Sequence, residues 1–186
     1  MWSRLRRLAQ EGPRPSAAAL AQTPSPVPTR LSVLMVCSGN ICRSPTAEVV
    51  LRSKLQRAGV LDVAVDSAGT HGFHTEEAPD PRAMAAAARR GYDLSTLRAR
   101  PLGMDDFQRF DWLLAMDQGH ISWLSQRRPQ GACAQMGLLM DSATRFTGVA
   151  EVPDPYYGGP AGFERVLDLV EDACEGWVAR LRLEVA

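Results

Sequence analysis

The sequence predicts a single α/β domain, a mostly parallel sheet with helices on both faces, preceded by a disordered arm. Three observations point there. Along residues 30–186, short apolar runs alternate with amphipathic stretches of period three to four, the order that builds parallel sheets through helical crossovers. The first apolar run is nearly continuous, as a strand covered on both faces must be. The composition, 45% hydrophobic and 23% charged over 186 residues, supplies one ordinary core but would be cramped as two.

Residues 1–29 read as the disordered extension. Pro13, Pro15, Pro24, Pro26 and Pro28 remove donors and fix φ, so no helix persists. The basic start lacks the apolar run of a signal peptide; a dispensable tail or a transit peptide remain the two readings. The domain spans 30–186. Leu31–Val36 is the first strand, followed by the loop CSGNICRS and a helix from Pro45 to about Ala58. In that helix Ala47, Val50, Leu51 and Leu55 recur at helical steps, with Ser44 as cap and Gly59 as stop. Val63, Val65 and Ser67 alternate as a second strand. Asp80–Arg90 is an Ala-rich helix opened by Asp80-Pro81 and stopped by Gly91. Asp111–Met116 is a third strand, Gln118–Arg128 a helix capped by Asp117, and Leu138–Met140 a short fourth strand. From Pro160 onward Phe163, Val166, Leu167, Val170, Cys174, Trp177 and Leu181 form the apolar stripe of a final helix.

Composition excludes several classes. Lys+Arg and Asp+Glu both number 21, which argues against a nucleic-acid partner. No 18-residue apolar run suggests a membrane span. Cysteines at 37, 42, 133 and 174 and histidines at 71, 74 and 120 match neither a disulfide framework nor a metal motif. Neither metal nor cofactor is expected, and the compartment expected is the cytoplasm.

The chemistry concentrates in the loop after the first strand. Cys37, Ser38, Gly39, Asn40, Ile41, Cys42 and Arg43 lead into Ser44 at a helix start. The loop is neither a dinucleotide fingerprint nor an ATPase phosphate loop. A tight loop can converge backbone N–H groups on an anion, and a helix N-terminus adds positive potential. Arg43 adds a planar fork for two phosphoryl oxygens. Such surroundings also stabilise a thiolate, the form in which Cys37 attacks. Ser44 can donate to the sulfur, Gly39 relieves the turn, and Asn40 tolerates left-handed geometry while its amide ties the loop together. Together these residues suit phosphoryl transfer through a phosphocysteine, with phosphate or another oxyanion bound. The reaction needs a general acid, and Asp154 in DPYYGG is the candidate, on a loop before the last helix. Tyr156 and Tyr157 can wall a slot for an aromatic ring.

With VCSGNICRSP at 36–45, DSAGT at 66–70, PDPRA at 79–83, LLAMD at 113–117 and PDPYYGG at 153–159, the chain resembles the low-molecular-weight protein tyrosine phosphatase family from about Arg30 to its end. The resemblance implies a four-stranded parallel sheet of order 2-1-3-4. It implies Cys37 as nucleophile, Arg43 as phosphate clamp, Asp154 as acid and base, Ser44 as thiolate stabiliser, and Asn40 with Ser67 bracing the loop from behind. Phe73 stands where many members carry Trp, and Leu97 where some place a bracing His. Ile41 resembles the phosphotyrosine enzymes, whereas phosphoarginine enzymes place Thr there. The implied partner is a phosphotyrosine-containing protein, with a bacterial tyrosine kinase as one such protein.

Cys42 is either a small buried side chain or a partner that pairs with Cys37 under oxidant. Phosphoarginine hydrolysis is one alternative activity, and thiol-dependent arsenate reduction on the same fold is the other. It needs two relay cysteines close together, whereas Cys174 lies on an apolar stripe far from Cys133. Arg98 and Arg100 are candidates for steering acidic peptides, and His71 and His74 for shaping access, with ordinary solvation the plainer reading of each. Trp112, Trp123 and Trp177 read as packing.

Overall fold

The computed structural model describes residues 29–186, so the extension expected over 1–29 lies, apart from Thr29, outside the described residues. Strands β1 (Leu31–Cys37), β2 (Val63–Gly69), β3 (Trp112–Ala115) and β4 (Gln135–Leu138) pair in parallel in the order β2-β1-β3-β4. The strand with apolar residues on both faces takes the centre. Val33, Met35 and Cys37 of β1 face one core and Leu34 and Val36 the other, all buried.

The helices divide between these cores. On the first face lie α1 (Arg43–Arg57), α2 (Pro81–Arg89) and α5 (Pro160–Val185), contributing Leu51, Ala87 and Trp177 among others. On the second lie α3 (Asp106–Arg109) and α4 (Gln118–Arg127), through Phe107 and Leu124. Trp177 is fully buried. Its Nε1 donates to the Leu139 carbonyl at 2.8 Å, and it meets Trp112 edge-on at 5.0 Å. Truncating a ring of this size typically costs about 3–5 kcal/mol. The helix bearing it also demands a glycine: a Cβ on Gly176 would lie 1.8 Å from the Ser142 carbonyl oxygen.

Several boundaries correct the sequence reading. The fourth strand is Gln135–Leu138, and Leu139–Ser142 is a 3₁₀ turn, because Leu139 and Met140 bury against the face carrying α5. The short helix α3 was not anticipated. Helix α1 begins at Arg43, and Cys42 at its cap position makes no side-chain capping bond. Ser44 is therefore inside the first turn, and Pro45 is tolerated there because first-turn N–H groups lack intrahelical acceptors. Asp80 does cap α2, accepting from the Arg82 N–H at 2.8 Å, and Gly59 and Gly91 follow α1 and α2 with positive φ.

Asp172 of α5 anchors the segment leading to the DPYY loop. Fully buried, it accepts from the backbone N–H groups of Thr144, Arg145 and Phe146 and from the Thr144 hydroxyl. Burial by itself would raise its pKa, but the Phe146, Thr144 and Arg145 donors outweigh it and hold the group at about 2, below its ordinary 3.8. A depressed folded-state pKa contributes stability above the unfolded value, and that contribution is lost as pH falls through the folded one. Asp172→Asn is therefore expected to lower stability at pH 7, while the difference from wild type narrows between about pH 4 and 2. Denaturant titrations across that range measure it.

Candidate active site

The parallel register brings Cys37 level with Gly69, so the loops after β1 and β2 meet at the carboxyl edge of the sheet, where such folds bind ligands. Their contact is close. The Thr70 and His71 N–H groups donate to the Cys37 and Ser38 carbonyls at 2.8 and 3.0 Å. A Cβ on Gly69 would lie 2.8 Å from the Ser38 carbonyl oxygen and 2.9 Å from that of His71. Only glycine fits without displacing backbone.

Loop 37–44 curls into a cradle. Asn40 has φ 57°, the left-handed conformation Asn tolerates. Among the described residues, none accepts a hydrogen bond from the backbone N–H of Ser38, Gly39, Asn40, Ile41, Cys42 or Arg43. Buried N–H groups without protein acceptors are costly, and a run of them beside a helix start is an anion site. The cavity above is about 360 Å³. Cys37, Ser38, Gly39, Ile41, Cys42 and Arg43 line it from the loop, and Phe73, His74, Asp154, Tyr156 and Tyr157 line it from the other segments. Ten of the residues expected at the site thus share one cavity.

The other three sit behind it. Asn40 Nδ2 donates to Ser44 Oγ at 2.9 Å and to Ser67 Oγ at 2.8 Å. With its oxygen accepting from Asn40, Ser44 is free to turn its proton toward Cys37 Sγ, 3.0 Å away. The Ser67 hydroxyl in turn donates to Glu48 Oε2 at 2.6 Å. Asn40 Oδ1 accepts from the Arg100 N–H at 2.9 Å. The chain from sulfur to Glu48 is continuous and buried, and it closes on Arg52, which pairs with Glu48 one helical turn along. Burial raises the Glu48 carboxyl above its ordinary value, with Ser67 and Arg52 opposing. Leu97 packs against the core and contributes no polar group to the network.

Arg43 is buried and held by two carboxylates. Its Nη1 meets Asp117 Oδ2 at 2.7 Å and its Nη2 meets Asp154 Oδ2 at 3.0 Å. Asp117 therefore does more than cap α4. Its Oδ1 accepts from the His120 N–H at 2.9 Å while Oδ2 aims the guanidinium. Burial works against its ionisation, but the His120 and Arg43 donors hold its carboxyl well below the usual range. His120 in turn lies 2.9 Å through Nε2 from Ser38 Oγ and 2.8 Å through Nδ1 from Asp117 Oδ1, so one buried imidazole touches both the cradle and the carboxylate that positions Arg43.

The DPYY loop is fixed from below. Asp154 Oδ1 accepts from the Tyr156 N–H at 3.0 Å. Arg82 grips Asp80 with Nε and Nη2, at 3.0 and 2.7 Å, and reaches the Tyr156 carbonyl with Nη1 at 3.0 Å. The Asp80 N–H meets the Ile41 carbonyl at 2.8 Å. The PDPRA segment thus links the cradle to the loop carrying Asp154. Tyr156 and Tyr157 meet edge-on at 5.1 Å. Phe73 and Tyr157 are 78% and 95% exposed, leaving open aromatic walls at the mouth.

All four cysteines are free. Burial, then the charges of Asp80, Cys37 and Asp154, pushes the Cys42 thiol far up, so it does not compete as a thiolate. Cys174 is fully buried, its sulfur 3.9 Å from the Ala47 carbonyl, while Cys133 is exposed. A relay through Cys174 would require opening the core. Arg100 corrects the steering expectation, since it pairs with Asp66 and Asp106 beside the bracing network. Arg98 is exposed and binds the nearby Ser95 carbonyl. Among the described residues no three His, Cys, Asp or Glu side chains cluster as a metal site would, and no helix is long and apolar enough to cross a membrane.

The sequence reading missed Glu48 and His120. Glu48 had a signal: it lies one turn after Ser44, on the face that buries Leu51 and Leu55. His120 had none, because its partner Ser38 is 82 positions away.

Known proteins are similar to this chain over most of its length. The family model described as low molecular weight phosphotyrosine protein phosphatase matches residues 32–186. A low molecular weight protein-tyrosine-phosphatase of Streptomyces coelicolor is 43% identical, over 82% of this chain and 94% of its own. A putative low molecular weight protein-tyrosine-phosphatase of Synechocystis is 40% identical over 83% and 99%. The crystal structure of a protein tyrosine phosphatase from Entamoeba histolytica, with Hepes in its active site, superposes with a TM-score of 0.79 at 38% identity, covering 84% of this chain and 99% of that one. With its sheet order, its cradle after β1 and its DPYY loop in one cavity, this chain belongs to the low molecular weight phosphotyrosine protein phosphatase family.

Proposed function

We propose that the protein hydrolyses phosphotyrosine in two steps through a phosphocysteine on Cys37. In the first, Cys37 Sγ attacks phosphorus in line while the P–O bond to the tyrosine ring breaks and Asp154 gives the leaving phenolate its proton. In the second, Asp154 takes a proton from water, the water oxygen attacks phosphorus and the S–P bond breaks, releasing phosphate. The cradle N–H groups and the Arg43 fork hold the equatorial oxygens throughout. Ser44, braced through Asn40, Ser67 and Glu48, supports the sulfur. A phosphoryl dianion draws the Arg43 fork to itself and frees Asp154 for the leaving oxygen.

One observation carries this reading: the N–H cradle without protein acceptors, the Cys37 thiol and the Asp154 carboxylate share one cavity with aromatic walls. Ile41, Phe73, Tyr156 and Tyr157 suit a flat aryl ring better than a guanidinium phosphate. We place the enzyme in the cytoplasm, because a free nucleophilic thiol suits a reducing compartment. Its substrates are phosphotyrosine-bearing proteins, and a bacterial tyrosine kinase is one such protein. Cys42, lining the same cavity, supports reversible protection: peroxide oxidises Cys37 to the sulfenic acid, the Cys42 thiol condenses with it releasing water, and a thiol reductant restores both.

A steady-state assay with EDTA and reductant, on matched phosphotyrosine and phosphoarginine peptides, tests the substrate class. Turnover of phosphotyrosine with little of phosphoarginine is expected. A preference for phosphoarginine would overturn the reading of Ile41 and the aromatic walls.

A further inference from the structure

The aromatic wall at Phe73 does not stop at the cavity. Its ring stacks on His71 with centroids 5.1 Å apart and planes within 7°. His71 then meets Trp123 of α4 at 6.4 Å, and the Arg127 guanidinium lies 4.2 Å over the Trp123 ring. The stripe is held in place at several points. The His71 N–H bonds the Ser38 carbonyl at 3.0 Å, and its Nδ1 lies 2.9 Å from Thr70 Oγ1. Trp123 sits half-buried against the second core. His71, Phe73 and Arg127 are exposed. Arg82, Arg89, Arg90 and Arg100 are tied to carboxylates, whereas among the described residues Arg127 is paired with none.

We infer that this stripe is a specificity surface for the residues flanking phosphotyrosine, seating a large apolar or aromatic side chain on His71 and Trp123 and an acidic one at Arg127. The inference rests on the phosphotyrosine reading above. A peptide whose phosphotyrosine ring enters beside Phe73 must leave the cavity at its mouth. There an extended chain, at about 3.3 Å per residue, covers the stripe with roughly three residues. Rigid π-faces bind apolar and aromatic side chains with little ordering cost. The Arg127 guanidinium at the far end, over the Trp123 ring and tied to no carboxylate among the described residues, selects the opposite charge and disfavours lysine or arginine.

The test is kcat/KM on a panel of phosphotyrosine peptides, alongside a small aryl phosphate that cannot reach the stripe. The panel varies each flank between Leu or Trp and Gly, and the next position between Asp and Lys. Wild type is expected to favour the apolar-acidic flank on one side by about five- to tenfold. Trp123→Ala should shrink that preference below about twofold, Trp123→Phe should restore much of it, and Arg127→Glu should reverse the Asp-over-Lys order. Aryl phosphate hydrolysis should stay within about twofold of wild type in all three. Absence of any flank preference in wild type would overturn the inference. So would an equal loss on aryl phosphate in Trp123→Ala, which would make Trp123 merely structural. Failure of wild type on every phosphotyrosine substrate would overturn the underlying reading, and the specificity surface with it.

Discussion

Cys37→Ser is expected to lower kcat for phosphotyrosine peptides by roughly 10⁴–10⁶-fold while leaving binding nearly intact. Losing the nucleophile of a covalent mechanism costs on this order because the remaining groups act as a unit with it. Binding survives because the groups that hold the phosphoryl oxygens are elsewhere: the N–H donors of residues 38–43 and the buried Arg43 fork, fixed by Asp117 at 2.7 Å. Serine is smaller than cysteine and can keep the contact with Ser44. Single-turnover kinetics together with calorimetric titration of a phosphotyrosine peptide separate the two effects. Retained turnover would remove Cys37 from the mechanism. Lost binding with the fold preserved would mean that the sulfur, not the cradle, holds the ligand.

Asp154→Asn is expected to reduce turnover by about 10²–10⁴-fold, the usual contribution of a positioned general acid. The loss should depend on the leaving group. A phenolate as basic as that of tyrosine needs a proton as it departs. A nitrophenolate scarcely does, so its phosphorylation step should suffer far less. Asn keeps the size of the side chain and an oxygen that can accept from the Tyr156 N–H, as Asp154 Oδ1 does at 3.0 Å, so the loop should hold its place. It forfeits the charge facing Arg43 Nη2, and KM for phosphate esters should accordingly not rise. Rapid-quench rates across a series of aryl phosphates check this. A uniform loss, independent of leaving-group basicity, would leave Asp154 a loop-positioning residue and require another acid.

Much of this site is legible in the sequence because its central part is local. Cys37 to Ser44 is one strand end, one turn and one helix start, so residue type and order dictate the cradle. The fold is legible for a similar reason: β1 is apolar on both faces, and its position at the centre follows. What stayed hidden is long-range or short. Asp117 reads correctly as a helix cap, but its second oxygen serves Arg43, 74 positions away, and no periodicity reports that. Arg100 reads as surface charge, whereas the fold ties it to Asp66 and Asp106. The fourth strand was displaced because Leu138–Met140 is the apolar run, while the edge strand proper includes the exposed Gln135 and one buried residue, Leu138. A four-residue helix such as α3 is too short to show a period. Trp123 reads as packing and half of it is, but its other face belongs to the stripe.

The most direct test of the phosphocysteine mechanism is to acid-quench the wild-type enzyme during turnover of a phosphotyrosine peptide and map the phosphoryl label by mass spectrometry. The phosphocysteine mechanism predicts one phosphoryl group on Cys37, absent in Cys37→Ser, decaying at one rate whichever aryl leaving group formed it. A label on another residue, or undiminished turnover with no covalent label and no burst of released phenol, would contradict it.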